Sequence, residues 1–521
     1  MPRVERPYFP IIYVRGYAGS DDEIDETVAD PYMGFNIGAT KFRQAWTGAV
    51  RRHYFESPLY RLVKDFGYTD VYSNGEHMPA DMDVPSKSIV IYRYYDEQFF
   101  ENLGHTGDID QITGRRRDIE QFAGGLSDLI LHLQKRICGD DVEAQKDFRV
   151  YLVAHSMGGL IVRCLLQNSK VGSPAAKQLV DKVFTYATPH GGIDFSVIGN
   201  VPSFFSRNNA DNFNQDRMKS YLGFDDNEKK NNNANDLNGH FDPQRFFCLV
   251  GTNWKDYTVA GGWSRRLVGP SSDGLVRITN ASVFDSKTDS HSPRAFVHRS
   301  HSGHYGIVNS EDGYQNLTRF LFGDVRVDGV LKVAEVSLPK EVQEAKDKKK
   351  TVRASYHFET VVRVRGGDWD LHRRTTSEES AIFRTFDQIF PADGKPRSPH
   401  LFSTFLSKKA RVSGKRSLVF SIEIAIQVPE YEIDGFLMFD QKIRGSYLYR
   451  DTLTVQATPT SDDDDAPYSV KYGFDSKTPL RATKSIDPKI EGGVLEFAIP
   501  IDSKTKPGFK GTLLLWAREW V

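Results

Sequence analysis

The chain has 521 residues, more than one hydrophobic core commonly serves, so two or three domains are expected. Hydrophobic residues make up 39% and charged residues 26%, the balance of an ordinary globular protein, and no apolar run reaches the ~20 residues that span a bilayer. A formal net charge of -1 gives no long-range pull toward nucleic acid, so a nucleic-acid partner is not expected, and membranes are expected to be met only in transient surface contact.

The first residues, Met1 to Pro7, lack the apolar core and small-residue cleavage site of a secretory signal, which points to a cytoplasmic protein, with signal-independent export as the alternative. Cys138, Cys164 and Cys248 are far apart and form no CxxC pair, a pattern of reduced thiols rather than of a disulfide framework. Residues 10–325 then alternate short apolar runs with helix-like segments, as a mostly parallel sheet covered by helices would. Strands are expected at 10–14, 88–94, 148–154, 182–187, 246–251 and 294–298. Ile119, Phe122, Leu126, Leu129, Ile130 and Leu133 recur every three or four residues and make one helical stripe. Further helices are expected at about 158–167 and 310–321.

Two insertions interrupt this pattern, at 19–87 and 192–244. The second begins with Phe195, Val197, Ile198, Val201, Phe204 and Phe205 and turns polar around 208–238, which suits a lid whose apolar part lines an acyl pocket and whose middle is a long loop. Residues 326–354 read as a charged linker or bridging helix. Strand-like runs at 355–365, 417–427, 446–457 and 512–516 then predict a β-sandwich-like domain over 355–521, with Asp462 to Asp465 in a solvated loop.

The chemistry concentrates at Ala154-His155-Ser156-Met157-Gly158-Gly159, between a predicted strand and a predicted helix. A sharp turn there lifts the Ser156 hydroxyl clear of the sheet beside the free N–H groups of a helix N-terminus, and it demands small residues at 154 and 158. Four segments in order, Pro10 to Gly16, Ala154 to Gly159, Ala187 to Gly192 and Ser272 to Val276, carry a resemblance to bacterial lipases and to the α/β hydrolases related to lecithin-cholesterol acyltransferase and GPI-inositol-deacylase. The resemblance covers residues 8–325 and implies an α/β-hydrolase fold with a Ser-Asp-His triad.

Carried onto this sequence, the resemblance implies Ser156 as nucleophile, Asp273 as the acid and His304 as the base, with the N–H groups of Tyr17 and Met157 forming the oxyanion hole. His301 is the second choice of base, because His291, His298, His301 and His304 crowd one stretch. Asp194 and Asp256 are the reserve acids. Arg15 stands where the family usually has histidine, and it either steadies that loop or binds a substrate anion. His155 and His190 read as structural. Asp21, Asp22, Glu23, Asp25, Glu26 and Asp30 crowd one loop without the spacing of an EF-hand, so no metal or other cofactor is expected.

The expected activity is hydrolysis of carboxylic esters, above all lipid esters, through an acyl-enzyme. The alternatives are an acyltransferase or thioesterase with the same triad, or a scaffold acting through the β-rich domain, whose protein partner the sequence does not name.

Overall fold

In the computed structural model, which describes residues 4–17, 26–27, 29–44, 48, 50–73, 76–96, 118–193, 211–257, 269–411, 416–434, 441–461 and 468–521, Ile11–Val14 form a fully buried strand, β1. A strand with no exposed face needs partners on both sides. β1 pairs in parallel with Ser88–Tyr92 (β3) and with Val150–His155 (β4). Thr69–Asp70 (β2), Val180–Tyr186 (β5), Phe246–Gly251 (β6) and Arg294–Val297 (β7) complete a seven-stranded sheet in the order β7-β6-β5-β4-β1-β3-β2. The strands expected from sequence are present with ends shifted by a residue or two.

Ile119–Cys138 form the predicted amphipathic helix, α1, which begins at a capping box between Asp118 and Gln121 and buries Phe122, Leu126, Leu129, Ile130 and Leu133. Gly158–Gln167 form α2, buried along its whole length. Glu311–Phe322 form the last helix of this unit, α5, so the helices expected at 158–167 and 310–321 are also present.

The second insertion divides. Its apolar beginning, with Asp194, Phe195, Val197, Ile198, Val201, Phe204 and Phe205, lies outside the described residues. The part expected as a long loop is ordered instead. Gln215–Tyr221 (α3) and Asp226–Asn231 (α4) are short helices, and Met218, Tyr221, Leu222, Phe224, Ala234 and Leu237 are buried. Asn214 and Asp225 cap them, so the polar residues that suggest a loop act here as helix starts.

The contacts divide the chain into Met1–Arg294 with His298–Leu321, and Ala295–Val297 with Phe322–Val521. The second unit contains two antiparallel sheets. One holds Val325–Val336 (β8), His400–Leu406 (β10), Val494–Asp502 (β16) and Phe509–Glu519 (β17), with Lys489–Glu491 (β15) at its edge. The other is built on Val352–Val364 (β9), Leu418–Gln427 (β11), Tyr447–Pro459 (β12), Tyr468–Phe474 (β13) and Lys484–Ile486 (β14). Their facing residues, among them Leu331, Tyr356, Ile422 and Leu513, make one apolar core.

The linker expected at 326–354 is corrected by this arrangement. Residues 325–336 are a strand that pairs with β17 over its full length, and only Lys340–Asp347 are helical. Val327, Leu331, Val333 and Val336 face the core, while Arg326 and Asp328 are buried as an ion pair with a 2.9 Å contact. Truncating Leu331 to Ala is therefore expected to cost ~2–5 kcal/mol, as in other cores. Urea unfolding of wild type and Leu331→Ala, followed on the second unit's tryptophans, measures it; a linker leucine would leave the midpoint unmoved.

Candidate active site

β4 ends at His155 and α2 begins at Gly158, and between them Ser156 has φ of +53°, a conformation that costs a non-glycine residue ~1–3 kcal/mol. The surroundings impose it. Ser156 donates its N–H to the Tyr186 carbonyl at 3.0 Å, and the Gly159 N–H returns to the Ser156 carbonyl at 3.1 Å. A Cβ on Gly158 would stand 2.4 Å from the carbonyl oxygens of both Val14 and Arg15, and one on Gly159 would stand 2.3 Å from Thr188 Oγ1. One on Gly16 would meet Ser156 Cβ at 2.9 Å. The small residues of the motif are thus required by the close approach of β1, β4 and the loop after β5.

Ser156 Oγ lies 3.0 Å from His301 Nε2, and His301 Nδ1 lies 2.9 Å from Asp273 Oδ2. With the proton on Nδ1, His301 donates to the carboxylate and accepts from the serine hydroxyl. The other carboxylate oxygen, Oδ1, accepts the N–H groups of Leu275 and Val276 at 2.9 and 2.7 Å, so Asp273 is held by three donors although it is 1% exposed. Backbone bonds tie the loops together. The His301 N–H donates to the Asp273 carbonyl at 3.0 Å, and His155 Nε2–H donates to the His301 carbonyl at 3.0 Å.

This geometry corrects the expectation of His304 as base. The Ser300 N–H bonds the Tyr305 carbonyl, the Ile307 N–H bonds the Ser300 carbonyl, and the turn so closed puts His304 on its exposed tip and His301 at its base beside Ser156. The usable signal lies in distance along the chain. His301 is four residues past the end of β7 at Val297, and His304 is seven past it, too far to return in so tight a turn. The reserve acid Asp256 accepts from Asn253 at 2.5 Å and makes no bond to His301; Asp194 lies outside the described residues.

The loop after β1 is steadied by a residue that sequence reasoning did not single out. The Tyr94 hydroxyl reaches the carbonyls of Arg15 and Gly16 at 3.1 and 2.8 Å, and its burial raises its pKa well above the ordinary value, so it stays a donor. The Arg15 guanidinium donates to the Thr27 hydroxyl. Tyr17, one residue beyond Gly16, packs edge-on against Phe213 with centroids 6.2 Å apart. Met157 occupies the N-cap of α2, where backbone N–H groups have no intrahelical acceptor. His190 is buried, lies 3.1 Å from Thr185 Oγ1 and is held well below its ordinary pKa first by desolvation and then by Arg163. Among the described residues no group of three or more His, Cys, Asp or Glu could hold a metal ion, and no helix is long and apolar enough to cross a membrane.

Residues 120–240, which include Ser156, match the PGAP1-like alpha/beta domain family. The seven-stranded sheet with its flanking helices is that of an α/β-hydrolase fold. Among solved structures it is similar to a lipase of Bacillus licheniformis, at 13% identity over 61% of this chain and 92% of that one, with a TM-score of 0.31. It is also similar to phospholipase PlaB of Legionella pneumophila, at 12% identity over 80% of this chain and 86% of that one, with a TM-score of 0.32. These likenesses say nothing of substrate. No curated protein matches the sequence.

His155 gives a pH prediction. Loss of hydration, with the neighbouring His301 second, lowers its pKa from 6.5 to about 3. The unfolded chain therefore takes up a proton at His155 as pH falls through 6.5, whereas the folded chain does so only near 3. Stability present above 6.5 is lost progressively across that window. His155→Asn removes this part of the loss, so its urea midpoint is expected to fall less than that of wild type between about pH 7 and about pH 4.5. Parallel acid limbs in the two proteins would place the effect elsewhere.

Proposed function

We propose that the chain is a serine hydrolase of carboxylic esters, acting through an acyl-enzyme on Ser156. The observation that carries this reading is the continuous hydrogen-bonded path from Ser156 Oγ through His301 to Asp273. His301 takes the hydroxyl proton on Nε2 as Ser156 Oγ attacks the ester carbonyl carbon, and Asp273 stabilises the imidazolium through Nδ1–H. The N–H groups of Met157 and Tyr17 donate to the carbonyl oxygen as negative charge develops on it, the first of them at a helix N-terminus that favours that charge. Collapse of the tetrahedral intermediate expels the alcohol, which takes the proton from His301. Water then repeats the sequence on the acyl-enzyme and restores Ser156.

Lipid esters are the proposed substrate class. The motifs shared with lipases and the apolar sequence of Phe195, Val197, Ile198, Val201, Phe204 and Phe205 support it. Each buried methylene contributes ~0.8 kcal/mol, so kcat/KM on p-nitrophenyl esters is expected to rise from acetate to decanoate. A flat or falling series would remove the lipid substrate and leave the hydrolase.

Three single variants and one double variant test the residue roles. Ser156→Ala and His301→Ala are each expected to lower kcat by at least ~10³-fold, and the double variant to do no worse, because the groups act as one unit. His304→Ala is expected to stay within about threefold of wild type, in the range of ordinary surface substitutions. Full activity in His301→Ala would sink the proposed base, and labelling of Ser156→Ala by a fluorophosphonate would sink the proposed nucleophile.

A further inference from the structure

The core of the second unit is filled at one end and open at the other. Leu331, Ile422 and Leu513 are fully buried between the two sheets, whereas toward β13, β14 and the start of β16 the inward residues Tyr468, Val470, Ile486 and Leu495 are only partly covered. There the facing sheets leave a cavity of about 110 Å³, partly open to solvent, whose walls include Phe420, Val455, Val470 and Ile486 from one sheet and Phe497 and Leu515 from the other. The surface that it exposes is apolar throughout. Water gains no hydrogen bond in such a space, and apolar cavities of this kind take up hydrocarbon.

We propose that this slot takes the end of one linear acyl chain, with its last few methylenes between the sheets and the rest of the chain and its polar group leaving through the mouth. Three features select that occupant. A wall without polar atoms offers nothing to a ligand that must satisfy hydrogen bonds inside. Packed sheets stand ~10 Å apart with their side chains already between them, so the slot is too narrow for a helix ~10–12 Å across. The open side leaves room for a carboxylate or headgroup that need not be desolvated. This site lies in the second unit, apart from Ser156, and its chemistry stands on the cavity alone; only the expectation that the chain comes from a hydrolysed lipid rests on the proposed function.

Ala457 on β12 and Ala517 on β17 line the slot from opposite sheets. Ala517→Phe places a single ring, close to the cavity's own volume, in space that is empty, so the fold is expected to persist with a melting temperature at or above that of the parent. The test uses the full chain carrying Ser156→Ala, titrated with a conjugated polyene fatty acid in monomeric form and, separately, with phosphatidylcholine vesicles. The filled protein is expected to bind the free acid at least tenfold more weakly than its parent. A loss confined to vesicle binding would still support an acyl-chain site and make the lipid tail its source. Undiminished binding of both, or binding of neither by the parent, would overturn the site.

Photolabelling the parent with a diazirine-bearing fatty acid requires no cavity variant. Label on β11 to β14, β16 or β17 supports the site, and label on the first unit alone overturns it even if the filled protein fails to fold. Ester hydrolysis by the filled chain with Ser156 intact is read separately, so a failed hydrolase reading and a failed binding site give different results.

Discussion

Everything reactive in the first unit depends on one crowded crossing, where the ends of β1 and β4, the start of α2 and the loop after β5 meet within van der Waals distance. Ser156 can project from that crossing only with a positive φ, and the crossing exists only because positions 16, 158 and 159 carry no side chain. The backbone strain is of the order of 1–3 kcal/mol and is offset locally by the bond from the Ser156 N–H to Tyr186. The same turn fixes the direction of the first N–H groups of α2. The donors at the start of that helix are therefore set by the same backbone that holds the hydroxyl.

The loops that bring Asp273 and His301 to this crossing are secured by main-chain bonds, which leaves their side chains to face one another. Gly251, at the end of β6, is needed for this approach, since a Cβ there would stand 2.7 Å from the Arg299 carbonyl and 2.8 Å from Asp273 Cβ. Arg299 is in turn held to Asp312 on the last helix of the unit, with Nε 2.7 Å from Oδ2. His155 joins the two halves of the assembly. It belongs to the strand that leads into Ser156, yet it donates to the carbonyl of His301, so His301 is positioned by the residue beside the serine.

Local sequence carried the elements whose pattern is set by immediate neighbours. The stripe of α1, the apolar strands of the sheet and the small residues around Ser156 each reflect short-range demands, and each was legible. The histidine was read three residues too far along, because the choice between His301 and His304 turns on the bridge from Ser300 to Gly306, which has no periodicity and shows in the sequence only as the shorter distance of His301 from the end of β7. Tyr94 escaped for the same reason: nothing in its surroundings along the chain says that its hydroxyl reaches β1's far end. In the second unit, Arg326 and Asp328 disguised a strand. Charges read as solvated when their partners are distant in sequence, yet Asp328 is met by His400, Arg326, Ser403 and Arg518; burial acts to raise its pKa, and His400, Arg326 and Ser403 together hold its carboxyl well below the usual range.

Arg163 shows how the polar second insertion can be ordered at all. Its guanidinium is fully buried inside α2, where an unpaired charge would be prohibitive, and burial lowers its pKa to about 10 while leaving it charged at neutral pH. Among the described residues no carboxylate forms an ion pair with it, Asp236 acting on it only through its field. Its donors reach Gln167 Oε1 at 2.8 Å and the carbonyls of His190, Ala234 and Asp236 at 3.0, 2.7 and 3.0 Å, so the charge is dispersed over oxygens of three separate segments. A neutral side chain of similar length could fill the volume but would leave those carbonyls without their donors, at ~1–3 kcal/mol for each that stays buried. The returning arm of the insertion is thus tied to the helix that follows Ser156, and to the loop of His190 beside it, by a single cation whose desolvation is tolerable only when all three are in place.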